Sequence, residues 1–276
     1  MTHGYPLDVG GVDDYPVKLG SMLLTMVDPH RGFERAYNRW YERDHFYAGC
    51  MIGPFLFAGS RWVAPRELKD LRWSDDEAQV ADPIDRGSYV AIYWEELGHY
   101  DEHQDWARTQ VRWLYGNNRG FPERTHAHTV LFDHLAAVYR DQDPVPIELA
   151  LDAVYDGIVI AWFDAAEGEA ADLHARLAQG LLPDLLAGST IENASSWTPH
   201  EGENAERNEP MDLGSRAGGP ERLVQLFFVR GDVRDALPRL RAYTDAIEAE
   251  GLAQVRLVAP FLRTVVGTDT YIDQLW

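Results

Sequence analysis

Taken as hydrophobic and polar positions alone, the chain spells one order of elements twice. Residues 21–27 form an apolar run that predicts a strand, stopped by Asp28-Pro29. From Phe33 the spacing turns helical. Phe33, Ala36, Tyr37, Trp40 and Tyr41 make an apolar stripe, and Glu34, Arg35, Arg39, Glu42 and Arg43 make the wet face. His45 falls four residues after Tyr41, so it continues the buried stripe to the helix end, just before the turn-rich run 48–54. A strand follows at 55–63, bounded by Pro54 and Pro65. A long acidic connection, 65–87, has room for a short helix at 67–72. A third strand at 89–94, a helix over roughly 101–115 and a fourth strand at about 127–135 complete the order β-α-β-β-α-β. Asn117 to Gly120 supply the residues that a helix end tolerates in the left-handed region.

The order then returns, with strands at 157–163, 190–197, 223–230 and 253–261 and helices at 167–182 and 232–248. Trp62 and Trp197 stand at matching places, so the period is 135 residues (197 less 62), the length of a duplicated domain rather than a solenoid unit. The expected division is an irregular arm at 1–17, a first repeat at 18–140, a linker at 141–150 and a second repeat at 151–276. The polar stretch 200–220 is expected to be a mobile loop or lid. In the tryptophan register His45 lies opposite Gly180, Trp40 opposite Ala175 and Tyr41 opposite Arg176. A pocket signature is therefore expected in the first repeat, the second being degenerate.

Charge narrows the partners. The formal net charge is −20, and Lys occurs only at positions 18 and 69, so nucleic acid and anionic membrane are disfavoured. No stretch reaches transmembrane length, and Met1 to Gly20 lack the basic start and apolar run of a signal peptide. Cys50 is alone, which excludes an internal disulfide and fits a cytoplasmic protein. No phosphate-binding glycine loop and no Gly-x-Ser-x-Gly elbow occurs. The pairs Glu95-Glu96 and Asp75-Asp76 read as solvated surface.

Histidine carries the candidate chemistry. His99 and His103 are one helical turn apart, and His126 and His128 are two apart on a strand, where alternation puts both rings on one face with Val130 and Phe132. Together these four could ligate a metal ion or serve a haem. If helix capping falls to Asp101, His99 stands outside the helix. One buried neutral imidazole needs less, since it can take a proton from a weakly acidic carbon or hydroxyl, with a second histidine or a tyrosine returning it. His45, Tyr93, His126 and His128 are the candidates for that work, with Trp40, Tyr41, Trp94, Phe46 and Arg61 as substrate-binding walls. Tyr93 and Trp94 are adjacent on a strand and so face opposite ways.

The pattern Trp40-Tyr41-x-x-x-His45 at the end of the first helix, followed by a loop and a strand carrying Arg61-Trp62, resembles EthD-like members of the dimeric α+β barrel superfamily over residues 20–65. Phe46-Tyr47 stand where those proteins often carry Leu-Pro, whereas Leu182-Pro183 occur in the second repeat. The resemblance implies an α+β fold, with two tandem ferredoxin-like repeats pairing their sheets into an intramolecular barrel. It also implies that His45 lines a small-molecule pocket. The expected function is cofactor-independent proton transfer on a small hydrophobic, aromatic or polyketide-like molecule, of isomerase, cyclase, lyase or monooxygenase type. A metal or haem enzyme and a non-catalytic binding protein are the alternatives. The protein is expected as a monomeric pseudo-dimer or a homodimer.

Overall fold

The computed structural model describes residues 16–74, 80–203 and 211–276. The first half runs β1 (Leu19–Pro29), α1 (Glu34–Trp40), β2 (Leu56–Val63), α2 (Arg66–Lys69), β3 (Tyr89–Glu96), α3 (Tyr100–Gly116) and β4 (Arg124–Tyr139). The second runs β5 (Gly157–Ala165), α4 (Ala170–Ala178), α5 (Leu181–Leu186), β6 (Ile191–Pro199), β7 (Arg222–Val229), α6 (Val233–Ala249) and β8 (Ala253–Arg263). All eight strands close into one antiparallel barrel in the order β1-β3-β2-β8-β5-β7-β6-β4.

The two joins between the halves are unequal. β4 is long enough to serve both sheets, pairing with β1 from Arg124 to Asp133 and with β6 from Phe132 to Tyr139. At the other join β2 meets β8 only through Trp62↔Arg263 and Val63↔Leu262. The barrel interior is filled by fully buried side chains, among them Trp62, Trp94, Trp162, Trp197, Phe132 and Phe228. Trp94 and Trp197 stack at 5.0 Å across it. Each such side chain contributes about 1.5–3 kcal/mol of burial. The segment between β4 and β5 packs on this core. It forms a 3₁₀ turn at Ile147–Leu149, where Trp94 Nε1 donates to the Ile147 carbonyl at 3.1 Å.

Several elements depart from the sequence pattern for identifiable reasons. The first helix does not end at His45 but continues as a π-helix, Tyr41–Met51. β1 runs through Asp28-Pro29, because the Asp28 carboxylate accepts from the Gly87 and Ser88 backbone N–H groups, both at 2.8 Å. The expected helix 167–182 is two helices broken at Gly180, and Pro183 falls in the first turn of α5, where its missing N–H costs nothing. Glu95 is not solvated surface but fully buried. Asp75 and Asp76, and positions 204–210 of the expected lid, lie outside the described residues.

A second apolar cluster lies on the outer face of the first sheet, beneath α1 and the π-helix. It holds Val27, Tyr37, Tyr41, Cys50, Val63, Tyr89, Ala91, Tyr93 and Leu275. Tyr93 thus sits outside the barrel and Trp94 inside, as strand alternation requires.

Candidate active site

The layer between the first sheet and its helix is aromatic and polar at once. The Arg61 guanidinium is buried in a cage of tyrosines, its central carbon 4.2 Å from the Tyr89 ring centroid, 4.5 Å from Tyr41 and 5.3 Å from Tyr37. Its Nη1 donates to Asn38 Oδ1 at 2.7 Å and lies 3.6 Å from a Glu42 carboxylate oxygen. Tyr41 and Tyr93 share a hydroxyl hydrogen bond of 2.9 Å. Burial pushes both phenols well above their ordinary range and raises the Cys50 thiol to about 12, so this layer stays protonated at neutral pH. That excludes Cys50 as a thiolate nucleophile at neutral pH. A small cavity of about 160 Å³ opens onto Arg61 between Glu42, Phe46, Tyr47 and Val266.

A strap formed by residues 264–276 closes this layer from the far end of the chain. The Gly267 N–H donates to Glu42, Asn38 donates to the Thr268 carbonyl, and Arg39 forks onto Asp269. Leu275 is fully buried in the outer cluster, and Trp276 Nε1 donates to Glu34 at 2.6 Å.

His45 occupies the other end of the layer. Its ring stacks on Trp40 at 4.6 Å and 15°, and meets the edge of Tyr41 at 5.3 Å. The stacking partner is five residues back, the spacing of a π-helical rather than an α-helical turn. Gly49 makes room, since a Cβ there would fall 2.6 Å from His45 Nδ1. Burial, then the nearby Arg124 and His126, lower its pKa to about 3. The ring is wedged between Trp40 and Gly49 and lines none of the cavities at Arg61, His126 or His200.

His126 does line a cavity. A space of about 450 Å³ lies between Tyr115, Phe121, Pro122, Arg124, His126 and Met211. Arg124 Nε donates to His126 Nε2 at 3.1 Å, which places the ring proton on Nδ1, facing Thr129 Oγ1 at 2.7 Å. Arg124 also donates to the Tyr115 hydroxyl at 2.7 Å and lies over the Trp40 ring at 4.8 Å. Burial, and next the Arg124 charge, hold His126 at about 3, so it is neutral in the physiological range.

The structure does not gather the four histidines of the expected metal set. His99 caps α3 and stacks on Phe55 at 3.7 Å, while His103 lies beside the Pro54 carbonyl at 2.7 Å. His126 and His128 take opposite faces of β4, because the register against β1 shifts by one between them. His128 packs inside the barrel against Trp162 and Phe132, and its Nδ1–H donates to Ser215. Among the described residues no three His, Cys, Asp or Glu side chains converge to hold a metal ion. Haem would need an imidazole nitrogen free to meet iron on the wall of a slot. His128 and His134 carry buried Nε2 atoms without a partner, and neither lines the cavities named above.

No protein-family model matches the sequence, and no curated protein matches it. Solved structures match it in fold. An anthrone oxidase-like protein is 7% identical, with TM-score 0.51 over 91% of this chain and 95% of its own. A "putative chlorite dismutase" is 8% identical, with TM-score 0.50 over 94% of this chain and all of its own, 100%. The likeness is one of fold, that of the dimeric α+β barrel. Among the described residues no helix is long and apolar enough to cross a membrane.

Proposed function

We propose that this chain is a cofactor-independent enzyme that moves a proton on a small aromatic or polyketide-like molecule. His126 is the acid–base group in this reading, and Arg124 and Tyr115 bind the oxygen that gathers charge. The observation that carries the reading is the 3.1 Å contact of Arg124 Nε with His126 Nε2 on the wall of a cavity of substrate size. A substrate carbonyl oxygen in the cavity competes for the Arg124 N–H and frees the Nε2 lone pair. The imidazole then takes the acidic C–H proton, the carbon–hydrogen electron pair passes into an enolate, and the guanidinium and phenol stabilise its oxygen. The imidazolium so formed is a strong acid in this buried place and returns the proton to oxygen or to another carbon. Phe121 and Tyr115 form the aromatic wall, with Trp40 stacked on Phe121 at 5.3 Å behind it and His45 stacked in turn on Trp40.

That an anthrone oxidase-like protein shares the fold supports the enzymatic reading and the substrate class. We read the two halves as tandem ferredoxin-like repeats of EthD-like type, on Trp40-Tyr41-x-x-x-His45 and Arg61-Trp62. The single chain then acts as its own dimer, in the cytoplasm. Deuterium exchange tests the function directly. In heavy water the protein should label the acidic carbon of at least one member of a set of anthrones, naphthols and 1,3-diketones. His126→Gln and Arg124→Gln should each slow labelling by roughly a hundredfold or more. No acceleration with any of these compounds, or undiminished labelling by His126→Gln, would refute the proposal.

A further inference from the structure

The bulge in β4 does more than part His126 from His128. Without the extra residue Ala127, strand alternation would put Thr129 on the face opposite His126. With it, the two side chains share a face, and Thr129 Oγ1 comes to 2.7 Å from His126 Nδ1. Thr25, the cross-strand partner of Thr129, is buried, and its Oγ1 lies 2.7 Å from Thr129 Oγ1. Because Nδ1 carries the ring proton, the Thr129 oxygen accepts it and leaves its own hydrogen for Thr25 Oγ1. The bulge is itself held in place. The Ala127 carbonyl accepts from the Ser215 N–H at 2.9 Å, and Gly214 approaches that carbonyl so closely that a Cβ there would collide with it.

We infer that Thr129 is a positioning residue, which holds the His126 ring proton on Nδ1 so that Nε2 keeps its lone pair. The inference rests on the reading of His126 as the acid–base group. Before substrate enters, Arg124 Nε also fixes this tautomer, by donating to Nε2 at 3.1 Å. Once a substrate oxygen draws that N–H away, the hydrogen bond to Thr129 remains to decide which ring nitrogen is protonated. A neutral hydroxyl also suits the return of the proton. A carboxylate in its place would stabilise the imidazolium, whereas Thr129 leaves it a strong acid. Thr129 does not line the cavity, so it acts through His126 and not on the substrate.

Nitrogen-15 spectra of the full chain with labelled histidine read the tautomer directly, the His126 signals being those that His126→Gln loses. Arg124→Leu removes the donor at Nε2, and there His126 should keep the Nδ1–H form. Adding Thr129→Val, which exchanges the hydroxyl for a methyl of nearly the same shape, should give a mixture of both tautomers. Thr129→Ser in place of the valine should restore the single form. A mixture in Arg124→Leu alone, or a pure Nδ1–H form in the variant that also carries Thr129→Val, would overturn the inference. In the deuterium-labelling reaction, with Arg124 intact, Thr129→Val should lower kcat by about tenfold or more and leave KM unchanged, while Thr129→Ser keeps most of the rate. An undiminished kcat in Thr129→Val would overturn it as well. The expected tautomers with no labelling by any of these proteins would uphold this role for Thr129 and refute only the function proposed for His126.

Discussion

Glu95 offers the sharpest test of the electrostatics described above. Its carboxylate is fully buried at the end of β3, where Ser21 Oγ and Gln104 Nε2 each donate to it at 2.8 Å and His103 Nε2 stands 3.8 Å away. Burial raises its pKa from an ordinary 4.5 to about 7. The two hydrogen bonds oppose the rise, and the neighbouring charges of Glu203 and Asp133 add to it. Because the folded protein holds this proton more tightly than the unfolded chain, stability falls as pH climbs from 4.5 through about 7 and then levels off. A rise of that size corresponds to about 3 kcal/mol. Glu95→Gln removes the titration and keeps the packing, since the amide oxygen can accept from Gln104 and the amide nitrogen can donate to Ser21 Oγ. Urea unfolding of both proteins at about pH 5 and about pH 8 is the assay. The variant should gain about 2.5 kcal/mol on the wild type between the two conditions, since at pH 5 the unfolded carboxyl is already largely ionised. The same difference at both pH values would mean that Glu95 is ionised at no cost, and the reasoning would fail.

Acid should unfold the protein through its buried imidazoles. His128, held at about 3 against 6.5 when free, gives stability that is complete above 6.5 and drains away as pH falls towards 3. At about pH 5 its share is about 2 kcal/mol, so His128→Phe should flatten the acid limb of a circular-dichroism titration, and an unchanged slope would refute the assignment. Leu275→Ala should cost about 2–4 kcal/mol in denaturant, because the side chain is fully buried in the outer cluster. A negligible loss would mean that the strap contributes little to holding that layer.

The sequence pattern foretold much of this architecture and missed particular residues for physical reasons. Alternation placed Tyr93 and Trp94 on opposite faces, and the apolar runs located all eight strands to within a few residues of their ends. The same alternation, carried two residues further, would have put Glu95 in phase with Tyr93 and beneath the helix, but its acidic neighbour suggested solvent instead. Arg61 is in phase with Val63 and could have been assigned to the outer layer in the same way. The π-helix was not legible, because a stripe of aromatics cannot distinguish a partner four residues back from one five back. Gly49 was the available hint, and its meaning depends on where the His45 ring goes. The register shift that parts His126 from His128 leaves no composition signal, since the extra residue, Ala127, suits either conformation.

The strap has a consequence for how the molecule is made. On a ribosome the first 140 residues can collapse onto their own sheet, yet the floor beneath Tyr37 lacks Leu275 and the Glu42 carboxylate lacks the Gly267 amide until residues 267–275 have also been made. The Arg61 layer is therefore completed only after all eight strands of the barrel have been made, and a nascent chain that stops at β8 still presents it open.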